Sequence, residues 1–375
     1  MAVISISWRA DSIRMRQSPK SILDTPALLL DLDVLEANIV HVAQICRSHG
    51  VSWRPHFKGH KTLEIAQMQI SAGAIGVTCA KLGEAEILAA NGIRDILIAN
   101  QIVGPLKVQR LMRLLDQADV IVAVDGRDNV LELAAAVREA DKTLRVVIEV
   151  NVGMNRAGVE PGDAALTLAD EIARHPSLRL VGMMGWEAQT TAIADPAEKE
   201  RAVAAAIRLL TASAELCRKA GHDMRIVSCG GTGTLLYCVK QPGVTEVQVG
   251  GAVMNDERYR WLYNIDLPFA LTILATVTSR PTPTRVVLDA GRKSMSSDAG
   301  TPRPLLVPGV REVKLSAEHV QLELEAPSDR PRVGDRVEFV PGYTDTTVHL
   351  HEEIIALRDD RIEAVWKVAG RGKIK

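Results

Sequence analysis

The chain has 375 residues, a formal net charge of −1 and 47% hydrophobic residues, so it holds material for two cores and lacks the charge excess that a nucleic-acid or anionic-membrane partner would attract. Its five cysteines contain no CxxC, its first residues lack the apolar core of a signal peptide, and no apolar run reaches the length of a membrane span, which points to the reducing cytoplasm. Small solutes are the expected partners.

Residues 1–26 read as an N-terminal arm. From residue 27 to about 251, β-branched runs alternate with stretches of helical periodicity. The runs are ALLLDL (27–32), SWRPHFK (52–58), GVTCA (76–80), DILIAN (95–100), VIVAVDG (120–126), LRVVIEVNVG (144–153), LRLVGMMGWE (178–187), RIVSCGG (225–231) and TEVQVGG (245–251). Between them, Leu35, Ile39, Val42 and Cys46 form one apolar stripe behind an expected Asp33 cap, with further stripes at Leu106/Leu111/Leu114 and Val130/Leu133/Val137. Strict alternation predicts a parallel sheet with helices outside it, and eight such units fit a (β/α)8 TIM-like barrel over 27–265 if one of the runs is spare. After residue 265 the pattern turns strand-rich, predicting a C-terminal β domain over 266–375, with the arm or the first strand as a candidate to join it.

Several stretches carry chemistry. In WRPHFKGHK an extended chain would aim Arg54, His56 and Lys58 to one side, with Trp53, Pro55 and Phe57 on the other. Buried polar groups need partners, so the loaded side suggests a ligand. If this run is the first barrel strand, Lys58 ends it at the C-terminal rim, where neighbouring cations and burial would favour the neutral, nucleophilic amine; a solvated strand-end lysine is the plain alternative. The seventh and eighth strands then end in Gly230-Gly231 and Gly250-Gly251, where barrels often hold phosphate, with Ser228, Thr232 and Thr234 as added donors. Either pair alone also fits an ordinary tight turn. Neither matches GxGxxG or GxxxxGK[ST]. Arg156, in the glycine-bracketed VGMNRAGV, is placed to meet a carboxylate or phenolate oxygen or to stand as a surface charge. A lysine and a phosphate cradle in one barrel point to pyridoxal 5′-phosphate.

RPHFKGHK resembles the RPHxKxHK stretch of the D-threonine aldolase and D-serine dehydratase family, pyridoxal-phosphate enzymes of the alanine racemase fold type. The likeness continues in order through VGMNRAGV, SCGGTGT, VQVGGAVMND and LDAGRKSMSSDAG. It implies an eight-stranded barrel with the 27–32 strand outside the count, a β domain, and a homodimer whose site lies between subunits. It further implies Lys58 as the Schiff-base lysine and Arg156 at the ring phenolate. Ser228, Gly230, Gly231, Thr232, Gly250 and Gly251 would surround the phosphate, His56 and Trp186 would contact the cofactor, and Asp298 and Asp345 of the second subunit would meet substrate. His60 and Tyr343 are the candidate acids or bases beside Lys58.

Two departures stand out. Metal-dependent members carry a His-x-Cys or His-x-Asp pair where this chain has Tyr343 and Asp345 in PGYTDTTVHLHEE, leaving Asp345 as the one matching ligand and a magnesium, manganese or zinc ion open. Trp186 and Gln189 stand where the family has the Tyr and His of Y-x-G-H. The activity implied is retro-aldol cleavage of β-hydroxy-D-amino acids to glycine or a similar amino acid plus an aldehyde. Dehydration of D-serine or another 3-hydroxy-D-amino acid and racemisation are alternatives at the same site, and a non-catalytic cofactor-binding protein or a metal-dependent barrel hydrolase is the rival of another class.

Overall fold

The computed structural model describes residues 19–375; residues 1–18 of the expected arm lie outside the described residues. The nine runs all form strands: β1 Ala27–Asp31, β2 Ser52–Trp53, β3 Val77–Cys79, β4 Asp95–Ile98, β5 Asp119–Val124, β6 Leu144–Glu149, β7 Leu178–Met184, β8 Ile226–Cys229 and β9 Glu246–Val247. Chain contacts divide into two units.

One unit spans Ile39–Ala252, Tyr259–Asp266 and Ala369–Lys375. Its strands pair in the order β2-β9-β8-β7-β6-β5-β4-β3, every neighbour parallel. The ring closes through a parallel bridge between His56 and Thr78, with the Phe57 N–H donating to Thr78 O at 2.7 Å and the Thr78 N–H to Pro55 O at 2.9 Å. This is the expected eight-stranded barrel. Barrel strands are covered on both faces, which is why β5 reads as an unbroken apolar run from Val120 to Val124, each residue buried. The helix Arg127–Glu139 buries Val130, Leu133 and Val137 as expected. On Pro105–Leu114, by contrast, Leu106 is 78% exposed and Val108 takes its place on the buried face with Leu111 and Leu114. The longest helix, Pro196–Lys219, starts with proline at its first turn, and its Asp195 cap accepts from the Glu198 N–H at 2.7 Å.

The other unit comprises the N-terminal segment through Asn38, Val253–Arg258 and Leu267–Val368. Its strands are β1, β10 Leu271–Thr282, β11 Arg285–Leu288, β12 Arg303–Pro304, β13 Val310–Leu315, β14 Val320–Leu324, β15 Arg336–Val340, β16 Glu353–Arg358 and β17 Arg361–Lys367. They run β13-β14-β11-β10-β1-β16-β17, with β15 pairing β10 and β12. The first run is thus the spare one: β1 lies antiparallel to β10 and parallel to β16, and Leu23, Ala27, Leu29, Leu274, Leu357 and Ile362 pack into one cluster around it. The following helix, Leu32–Ser48, buries Leu35, Ile39, Val42 and Cys46. Its cap is Asp31, whose carboxylate accepts from the Val34 N–H at 3.0 Å, while the expected cap, Asp33, pairs with Arg358. All five cysteines are free and buried, and no described helix is long and apolar enough to cross a membrane.

Candidate active site at the barrel rim

The WRPHFKGHK stretch is strand for only two residues. On the β9 side the ladder of β2 ends with the Arg54 N–H donating to Val247 O at 3.0 Å, while Pro55, which brings no N–H, still accepts from the Thr78 N–H on the β3 side. Trp53 and Phe57 are buried as expected, and the Trp53 indole N–H donates to Val249 O at 2.8 Å. The polar residues do not share one destination. Arg54 is buried and committed to the barrel, its Nε donating to Glu246 at 3.1 Å and its Nη1 to Asp95 at 2.6 Å. These acids open β9 and β4, at the ends of those strands opposite the rim that carries Lys58. His56 and Lys58 follow in the turn beyond β2, His56 half-buried and Lys58 exposed. Lys58 therefore stands apart from Arg54, and the single chain does not bury its amine.

His56 is nevertheless tied to that turn. Its Nδ1 accepts from the Lys58 backbone N–H at 3.3 Å, so this nitrogen carries no proton. Burial, followed by the nearby cations Lys58, Lys61 and Arg156, holds the His56 imidazole well below its ordinary pKa. Lys58 and Arg156 thus act on one ring. Arg156 follows β6 in a loop whose amides at Gly153 and Asn155 both donate to Asn151 Oδ1 at 3.1 Å. It is half-exposed, 3.8 Å from a buried Glu149 carboxylate that also accepts from Gln101 at 2.6 Å. Gln189 ties the same loop to β7's end, donating to Val152 O at 2.8 Å. His60 is fully buried, edge-on to Phe57 with ring centroids 5.2 Å apart, and burial pulls its pKa down to about 3.

The glycine turns close the far side. A Cβ on Gly250 would fall 2.2 Å from His56 O, so only glycine lets the end of β9 lie against the Lys58 turn. Gly251 packs on the Tyr259 phenol and Gly231 on the Trp186 ring, with notional Cβ contacts of 2.4 Å at each. Ser228 is buried, its hydroxyl accepting from Gln248 at 2.9 Å, and Thr232 is buried. The Gly230 loop rests on a carboxylate that sequence reasoning passed over. Glu187 is fully buried, accepting from the Thr234 hydroxyl at 2.5 Å, the Cys238 thiol at 3.3 Å and the Gly230 N–H at 3.4 Å. Burial raises its pKa. Its signal was an acid closing an apolar strand run. Among the described backbone hydrogen bonds the N–H groups of Thr232 and Gly233 have no acceptor, so donors are available for an anion. Behind the loop, Lys199 is 2% exposed and donates to Thr191 O at 2.9 Å and Tyr263 O at 3.2 Å, its ammonium 5.8 Å from the ring centres of both Tyr237 and Tyr263.

The remaining candidates belong to the other unit. Asp298 is exposed and accepts from the Ser296 hydroxyl and, at 3.0 Å, from the Thr346 hydroxyl; the Ser296 bond leads the contacts that lower its pKa. Tyr343 and Asp345 are half-buried. His351 is engaged by Ser294 O at 2.6 Å. Among the described residues, the group of three potential ligand side chains within 4.8 Å of one another is Glu187, Cys229 and Cys238, not the 343–352 segment. That group is already hydrogen-bonded internally, and burial pushes the Cys238 thiol well above its ordinary pKa.

The chain resembles known families and structures over most of its length. Residues 30–257 match the alanine racemase N-terminal domain, and residues 270–357 a putative serine dehydratase domain. A D-threonine aldolase of Arthrobacter sp is 33% identical, covering 94% of both chains. A 3-hydroxy-D-aspartate aldolase of Paracoccus denitrificans is 32% identical, again over 94% of each. The crystal structure of a D-threonine aldolase from Filomicrobium marinum superposes with a TM-score of 0.92 at 34% identity, over 96% of this chain and 99% of that one.

Proposed function

The chain belongs to the family of the alanine racemase N-terminal domain, joined to a serine dehydratase domain, and from that premise we propose that it is a pyridoxal-phosphate lyase cleaving β-hydroxy-D-amino acids to glycine, or a similar amino acid, and an aldehyde. The observation that carries the proposal is the rim itself: an exposed Lys58 in a turn backed by Gly250, at the end of the barrel where the Thr232 and Gly233 N–H groups have no acceptor among the described backbone hydrogen bonds.

In this reading Lys58 is the attachment lysine and Arg156 holds the ring's phenolate oxygen. Ser228, Gly230, Gly231, Thr232, Gly250 and Gly251 receive the phosphate, and His56 and Trp186 flank the ring. Bound there, pyridoxal phosphate supplies an electron sink for the charge left on Cα when the Cα–Cβ bond breaks. The side chains do the rest. A neutral His56 adds no positive charge beside Lys58, and the amine of Lys58 returns a proton to Cα. For the β-hydroxyl proton, a His60 closed inside the barrel unit is unsuited, so the role is assigned to Tyr343. Asp298 and Asp345 are assigned to substrate. A homodimer working in the cytoplasm completes the proposal.

The test is direct. Purified protein should show a visible cofactor band that borohydride abolishes, with the reduced label mapped to Lys58. Incubation with D-threonine or D-phenylserine should release aldehyde and glycine. Keto acid and ammonia without aldehyde would replace the aldolase reading by the dehydratase one.

A further inference from the structure

Resting on the lyase reading, we infer that this chain works without a divalent ion and that Arg258, acting through Tyr343, sets a permanent positive charge against the segment where metal-dependent members carry their ligands. The donor set is the first reason. In PGYTD the first of two family ligands is a phenol, a poor donor until ionised, and one carboxylate at Asp345 binds magnesium, manganese or zinc weakly. His351, six residues beyond Asp345, is engaged by Ser294 O at 2.6 Å.

The second reason is what was built there. The guanidinium carbon of Arg258 lies 5.4 Å from the centre of the Tyr343 ring, within the range of cation–π attraction. Its position is fixed at both ends, for the Arg258 backbone N–H donates to Gly342 O at 3.1 Å and Nη1 donates to Ala299 O at 3.0 Å. Those anchors belong to two segments whose backbones touch: a Cβ on Gly342 would fall 1.8 Å from Gly300 O, and one on Gly300 would fall 2.5 Å from Gly342 O. The glycines allow the loop of Asp298 to meet the loop of Tyr343, and Arg258 staples the two. Nearby, Asp256 accepts from the Thr344 N–H at 2.7 Å, securing the backbone between Tyr343 and Asp345. A guanidinium remains charged at any working pH. It would repel a dication brought to residues 343 and 345 while supplying a positive charge of its own. Arg258 is a positioning residue in this account, acting through Tyr343.

Elemental analysis of the purified holoenzyme and Mn2+ titration followed by electron paramagnetic resonance test this without relying on turnover. The wild-type chain should hold no stoichiometric divalent ion, and EDTA should leave its activity unchanged. Tyr343→His, which recreates a His-x-Asp pair, should bind Mn2+ weakly while Arg258 remains. Tyr343→His with Arg258→Gln should bind it on the order of tenfold or more tightly than Tyr343→His alone. Tyr343→His with Arg258→Lys, retaining the charge, should stay weak. Thermal unfolding and the visible cofactor band identify any variant that has lost its fold. One tightly held ion per wild-type chain, whose chelation abolishes activity, would overturn the inference. Equal Mn2+ affinity in the single and double variants would remove Arg258 from it. A protein with no cofactor and no turnover would sink the lyase reading instead, leaving the Mn2+ comparison to be judged by itself.

Discussion

His60 is a candidate acid or base whose burial also ties the fold's stability to pH. Its place two residues after Lys58 suggested an acid or base, but the ring is sealed against Phe57 and reaches no solvent. Burial disfavours the imidazolium, bringing the pKa from 6.5 to about 3. Between those values the unfolded chain binds the proton and the folded chain does not, so stability falls as pH drops through 6.5 and the loss is complete below about 3. The full loss is on the order of 5 kcal/mol, because each tenfold change in proton affinity is worth about 1.4 kcal/mol. Urea unfolding between pH 7 and 4 should therefore show a slope that His60→Gln flattens. An unchanged slope would assign the acid sensitivity to other groups.

At the scale of elements, the barrel was legible because strands buried on both faces must be apolar and brief, and turns must separate them. All nine strands, and the exclusion of β1 from the ring, follow from that rhythm and the family likeness. The length of β2 was not legible from alternation alone, nor was the turn of Arg54 away from His56 and Lys58, because its partners Glu246 and Asp95 lie on other strands. Leu106 misled because a helical stripe has edges, and an edge position can face water. Glu187 was missed because its partners, Thr234, Cys238 and Gly230, lie far along the chain. The glycine pairs were found for their expected donors, yet protein neighbours also require them. Gly250→Ala drives a methyl into His56 backbone, whereas Gly231→Ala meets the Trp186 ring. A fixed carbonyl yields less than a side chain, so Gly250→Ala should cost about 1–3 kcal/mol in urea unfolding, more than Gly231→Ala, and should weaken pyridoxal-phosphate binding. Equal costs would show that β9's end can move away from the β2 turn.

For the whole molecule, ring closure has an electrostatic lock. Arg54 joins β2 to Glu246 on β9 and to Asp95 on β4, with Arg54 and Glu246 buried. Removing one member of a buried pair strands the other, so Arg54→Leu should lower unfolding free energy by about 3–5 kcal/mol. Arg54→Leu with Glu246→Leu should recover much of that loss. A double variant no better than the single one would show that the cost lies in packing.

The cage around Lys199 has a consequence for a protein proposed to hold a reactive carbonyl compound. Desolvation makes that ammonium easier to deprotonate, which by itself would invite capture of an aldehyde. Two tyrosine rings and the surrounding fold wall it off, while Lys58, in the turn after β2, is an exposed residue. Under the proposed function, choice between the two nitrogens is made by admission: Lys199 is behind a closed door, and exposed Lys58 is the one assigned to the visitor.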